Sequence, residues 1–136
     1  MRALPDTVEN PRTGERVTFV ARSPECLVMD VEWTRPGHRA SAHVHPAMEE
    51  RFEIVAGRAA FRIAGRDEVV AEAGAVVTVP PGTEHLAWNP TEDAVRLRIT
   101  MRPGLRWDEF TTRFFAGEDP LALLSEFAPE VVLPPR

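Results

Sequence analysis

The chain has 136 residues, enough for one domain with a single core, and its 43% hydrophobic and 27% charged residues are ordinary for a globular protein. A formal net charge of -5 without a basic cluster argues against a nucleic-acid partner. The opening residues, MRALPDTVEN, contain no apolar signal-peptide core, no apolar run approaches membrane-spanning length, and the lone Cys26 allows no internal disulfide, which together point to the cytoplasm. All 16 basic residues are arginine and tyrosine is absent, which excludes Schiff-base chemistry on a lysine and any phenol acting as general acid.

Residues 1–15 read as an N-terminal arm ending in the turn signal Arg12-Thr13-Gly14. A short strand over 16–22 follows, broken by Ser23-Pro24. Residues 26–34 alternate, with Leu27, Met29, Val31 and Trp33 on one face and Asp30, Glu32 and Thr34 on the other, as a half-buried strand does. Pro36-Gly37 is a turn. Alternation resumes at Glu50, Phe52 and Ile54, and again over 59–64 with Phe61 and Ile63 inward; Gly65-Arg66-Asp67 reads as the next turn. Strands are predicted over 68–72, 76–79 and 85–88, and Pro80-Pro81-Gly82 aims the last of these. Residues 94–102 alternate again, with Val95, Leu97, Ile99 and Met101 inward. Beyond Pro103-Gly104 the period becomes helical: Trp107, Phe110 and Phe114 share a face, and Asp119-Pro120 is a helix start. Two short helices on the outer wall and an extended tail are expected for 105–136.

Chemistry-bearing residues concentrate in two places. His43 and His45, two apart, present both imidazoles to one side of an extended segment. Glu50 shares the apolar face of Phe52 and Ile54 and turns inward, whereas Glu49 belongs with the solvated Arg51 and Glu53. With His85 from the second stretch, His43, His45 and Glu50 make a four-ligand site for one divalent transition metal: Fe, Mn, Ni or Zn. His38 reads as a rim residue, Cys26 as a bystander thiol and Asn89 as a turn former.

The spacing of these residues resembles the two cupin motifs. Gly37, His43, His45, Glu50 and Gly57 match the first motif, and Gly74, Pro80, Gly82, His85 and Asn89 match the second, in the right order and with no anchor missing. The resemblance implies an all-β double-stranded β-helix, a jelly-roll barrel, over 16–104 with a metal near one mouth. Within that family the absence of lysine and tyrosine disfavours deoxysugar epimerases, thiol dioxygenases with a Cys–Tyr crosslink, and phosphomannose isomerases.

No second acid or base is expected to point inward, so catalysis would fall to the metal, with Glu50 as the available base. A dioxygenase-type oxidoreductase acting on a small organic molecule is the leading expectation. A polyketide cyclase- or isomerase-like enzyme with a Lewis-acid metal is the second, and a non-catalytic metal or small-ligand binding module the third. A homodimer is expected, because the strand near 16–20 would otherwise leave Val17 and Phe19 on an open edge.

Overall fold

A computed structural model describes residues 5–34 and 41–134. Its order is β1 (Thr7–Glu9), β2 (Glu15–Arg22), β3 (Leu27–Trp33), β4 (Glu49–Ala56), β5 (Arg58–Ile63), β6 (Val69–Glu72), β7 (Val76–Val79), β8 (His85–Trp88) and β9 (Val95–Arg102), followed by helices α1 (Trp107–Phe115) and α2 (Pro120–Glu126). Two antiparallel sheets form, ordered β1-β2-β3-β9-β4-β7 and β6-β5-β8. A crossover order of this kind, with β9 between β3 and β4, is that of a jelly roll.

The alternating strands bury the faces that their sequence marks. Leu27, Met29, Val31 and Trp33 of β3, Val95, Leu97, Ile99 and Met101 of β9, and Phe52 and Ile54 of β4 join Val17, Phe19 and Phe61 in one core. Phe52 meets Phe61 edge-on at 5.0 Å, which fixes the two sheets against each other. Phe61 is fully buried, so Phe61→Ala is expected to cost about 3–5 kcal/mol, seen as an earlier urea midpoint at unchanged slope.

Outside that core the wide sheet carries paired charges. Register places Asp30 opposite Arg98 and Glu32 opposite Arg96, and Arg98 donates to both oxygens of Asp30 at 2.8 and 3.1 Å. Both partners are half exposed, so the pair contributes at most about 1 kcal/mol and serves solubility more than stability.

Three expectations need correcting. Thr7–Glu9 form a strand within residues 1–15 and pair with β2, so the chain itself covers the edge that was expected to be open. The tight turn after β5 uses Ala64 and Gly65, both at positive φ, one residue earlier than the sequence suggests. Helix α1 does not lie on the outer wall: Trp107 packs on the barrel core and stands perpendicular to the His45 ring at 4.7 Å. Asp119 and Pro120 do begin α2, with Pro120 in the first turn, where the missing N–H is not needed.

Candidate metal centre

His43 and His45 lie before β4 in an extended segment that is held by isolated bridges, not a regular strand. His43 bridges His85, and Val44 bridges Val132. His85 opens β8 and Glu50 follows Glu49 at the head of β4. One donor atom from each of His43, His45, Glu50 and His85 lies within 4.8 Å of every other. The expected inward turn of Glu50 is therefore observed, and Glu49 faces away, opposite Arg102. His38 and Gly37 fall outside the described residues.

The protonation pattern follows from what each ring touches. A backbone carbonyl can only accept, so a ring nitrogen bonded to one must carry the proton. His43 Nδ1 donates to Ser41 O at 2.8 Å, His45 Nδ1 to Glu130 O at 2.8 Å, and His85 Nδ1 to Thr83 O at 3.0 Å. In neutral rings the Nε2 atoms are then the free acceptors, and those of His45 and His85 meet the Glu50 carboxylate.

His85 Nε2 lies 3.0 Å from Glu50 Oε1 in hydrogen-bond geometry. His45 Nε2 lies 3.2 Å from the same oxygen without a hydrogen bond, and it is the buried side-chain polar atom left without a partner among the described residues. Such a contact is relieved by a proton or by a cation placed between the two atoms, and one metal ion would serve His45, His85 and Glu50 together.

The electrostatics are those of the cluster without an ion, in which a proton shared with Glu50 takes the place a metal would fill. Burial works against charge on Glu50, but His45 and His85 outweigh it and hold the carboxyl well below the ordinary range. Burial is the largest influence on His43 and, with the neighbouring His85 and His45, lowers it to about 4, so it is a free base at neutral pH. Burial also opposes charge on His85, yet the Glu50 hydrogen bond and charge raise it above the usual imidazole value. Donors bound at about 2.0–2.2 Å around one first-row ion lie about 3–4 Å apart, which this cluster reaches with small side-chain movements. The residues therefore fit a divalent metal with three nitrogens and one carboxylate.

Two neighbours of the cluster carry no metal-ligand signal in the sequence. Glu15 is an inward carboxyl, which corrects the expectation of an otherwise apolar lining. It shares the β2 face of the buried Val17 and Phe19, lies opposite Trp33 in register, and accepts the Trp33 indole N–H at 3.0 Å. Parity with Val17 and Phe19 is the signal that could have found it. Glu130 is the other: its carbonyl fixes His45, and only the fold brings that carbonyl to the ring. Trp88 is buried, but with Ala60 and Leu86 in a cluster separate from the main core. Asn89 acts as the expected turn former, accepting from Thr91 N at 2.9 Å and donating to Asp93 O at 2.7 Å.

Glu15 also gives a pH prediction. Burial, its largest influence, and then the charge of Glu50 raise its pKa, while the Trp33 bond acts against them. A carboxyl raised on folding gives its full support below the unfolded value and loses it as pH climbs through the folded value. Glu15→Gln keeps an acceptor for Trp33 and cannot ionise. Its stability advantage over the natural chain should therefore be larger at pH 8 than at pH 4, measured by denaturant unfolding; an advantage independent of pH contradicts the assignment.

A jelly-roll barrel with a buried three-histidine, one-glutamate cluster defines a class of small metal-site barrels. Residues 33–101, about half of the chain, match the cupin domain, and the chain belongs to the cupin family. No functionally curated protein matches it. Among solved structures, the fold is similar to an RmlC-like cupin from Shewanella frigidimarina, with TM-score 0.62 and 22% identity over 71% of this chain and 83% of that one. It is also similar to the Schizosaccharomyces pombe Cnp3 cupin domain, with TM-score 0.60 and 18% identity over 65% of this chain and 64% of that one. A third likeness is to oxalate oxidase in complex with the substrate analogue glycolate, with TM-score 0.52 and 21% identity over 59% of this chain and 44% of that one. This chain thus spans under two thirds of the length of the latter two, and identities this low carry the fold alone. No described helix is long and apolar enough to cross a membrane.

Proposed function

We propose that the protein is a metal-dependent enzyme acting on a small organic molecule, with dioxygenase-type oxidation as the favoured reaction. The observation that carries the metal part of this reading is the convergence of three imidazoles and one carboxylate, with His45 Nε2 buried and without a hydrogen-bond partner. When bound there, a divalent ion supplies Lewis acidity and, if redox-active, a route for electrons to dioxygen. The remaining work falls to side chains of this chain. His43 is the least buried of the four, so a substrate would reach the cluster from its side. Glu15, an inward carboxyl close enough to feel the charge of Glu50, would be a second proton-transfer group beside Glu50. Trp33 and Met101 are buried on the inner face, and where they fill the space beside the cluster they favour a structural metal or a binding module over an enzyme.

Oxalate oxidase is by its name an oxidase of a small dicarboxylate, and its likeness makes small oxygen-rich chelators reasonable first substrates. The test is an oxygen electrode with the iron(II) form against catechols, diketones and short dicarboxylates. Oxygen uptake that disappears on chelation supports oxidation. Turnover without oxygen uptake, and with little preference among metals, moves the reading to Lewis-acid chemistry of the cyclase or isomerase kind. Ligand-induced stabilisation without turnover moves it to a binding module. A cytoplasmic location fits the lone Cys26.

The chain is also expected to pair as a homodimer. With the β2 edge covered, the support moves to the exposed Val69, Val70 and Val76, which line one shallow groove. A monomeric mass by light scattering at micromolar concentration would rule pairing out.

A further inference from the structure

The three histidines are not held alike. His43 and His85 each donate Nδ1–H to a carbonyl two residues away, so their orientation is set by their own loops. His45 donates to Glu130 O, across 85 positions of sequence. The residue before it, Val44, exchanges both backbone hydrogen bonds with Val132 at 2.9 Å, and Trp107 stands against the imidazole itself.

The C-terminal segment is pinned in turn by one side chain. Glu130 is 2% exposed, and its carboxylate accepts from Arg106 three times: the backbone N–H at 3.2 Å, Nε at 3.0 Å and Nη2 at 2.9 Å. The same guanidinium lies 4.4 Å over the Phe127 ring and donates to Glu126 O at 3.1 Å. Phe127, Val131, Leu123 and Phe110 form a small core that is separate from the barrel's own, so the segment docks as a unit.

We propose that residues 126–132, locked by Arg106, are a strap that positions His45 and so sets how tightly the cluster holds a metal. The barrel alone orients two of the three imidazoles; the strap supplies the carbonyl that keeps the third in the Nδ1–H tautomer with Nε2 free for an ion. Outer hydrogen-bond partners of metal-bound histidines commonly set affinity by about 10- to 100-fold. Linkage then requires the converse: an ion bound at the cluster must hold the strap down by the same factor. This inference rests on the metal reading above.

The test is Ni2+ affinity by chelator competition, read also through tryptophan fluorescence, because Trp107 lies against a ligand ring. Arg106→Ala and Val132→Pro, which removes the N–H donated to Val44, are expected to bind Ni2+ about 10- to 100-fold more weakly. Nitrogen-15 spectra of the metal-free variants should show His45 alone leaving the Nδ1–H tautomer, with His43 and His85 unchanged; a merely structural role would not select one ring. Folded variants that bind within twofold of the natural chain overturn the strap. Should the variants not fold, hydrogen exchange of the unaltered chain decides: Ni2+ is expected to slow exchange at the Val44 and Val132 amides, and unchanged exchange at full occupancy overturns the proposal. If the unaltered chain takes up no Ni2+, the metal reading itself has failed, and that result is distinct from either of the others.

Discussion

Replacing His45 by alanine is expected to lower metal affinity by more than about 100-fold, beyond what loss of an outer partner costs. The change removes one of four donors from a cluster whose members all lie within 4.8 Å. It also leaves Glu130 O without its N–H and removes the ring that Trp107 packs against. The metal-free protein should therefore also lose stability, by about 1–3 kcal/mol for the stranded acceptor. The matched control is Glu49→Gln, one residue from a ligand but on the opposite face, opposite Arg102. It should retain the metal. Elemental analysis of both variants beside the natural chain checks the pair: equal occupancy in all three would remove His45 from the ligand set, and loss in Glu49→Gln would mean that the carboxylate was misassigned.

Gly57→Ala is expected to be a strongly damaging methyl addition, costing roughly 2–4 kcal/mol through a strained φ and an overpacked site. Gly57 joins β4 to β5 at φ +83°, a conformation that L side chains rarely adopt. A Cβ there would lie 2.8 Å from Ala94 O and 3.3 Å from Val95 Cα, both backbone atoms that cannot swing aside. The penalty should appear as a melting temperature lower by roughly 6–15 °C. Gly65→Ala supplies the comparison: φ is +69° but no atom lies within 4 Å of the added carbon, so it carries the φ cost without the collision. Similar losses at the two sites would show that close approach at Gly57 adds nothing.

These positions explain how much could be read before any coordinates. Strands such as β3 and β9 declare themselves because a half-buried strand must alternate, and their inward residues are those that the structure buries. Glu50 was separable from Glu49 by the same parity. The glycine spacing also carried information, since Gly57 is required by backbone geometry at the turn between β4 and β5. Glu15 lies directly after the turn of Thr13 and Gly14, where a carboxylate reads as solvated; parity with Val17 and Phe19 marks it as inward only once the strand is seen to begin at Glu15, and its Trp33 partner is a long-range fact. The role of the C-terminal segment was hidden for a different reason. His45 is held by a backbone carbonyl, and every residue has one, so nothing in the side-chain pattern marks Glu130. Trp107 was legible as part of a helical face, but which body that face would meet was set by the path of the chain after Gly104, whose close approach to Ser23 and Leu27 ties the start of the helical region to the head of β3.

His43, His45, Glu50 and His85 are expected to hold one divalent metal together. Protein produced without an affinity tag for metal resin and purified without chelator should be analysed for Mn, Fe, Ni and Zn, beside the His45→Ala variant. Close to one equivalent of divalent metal per chain is expected in the natural protein and near none in the variant. A natural protein that carries no metal and takes up none when titrated with any of the four ions would contradict that expectation.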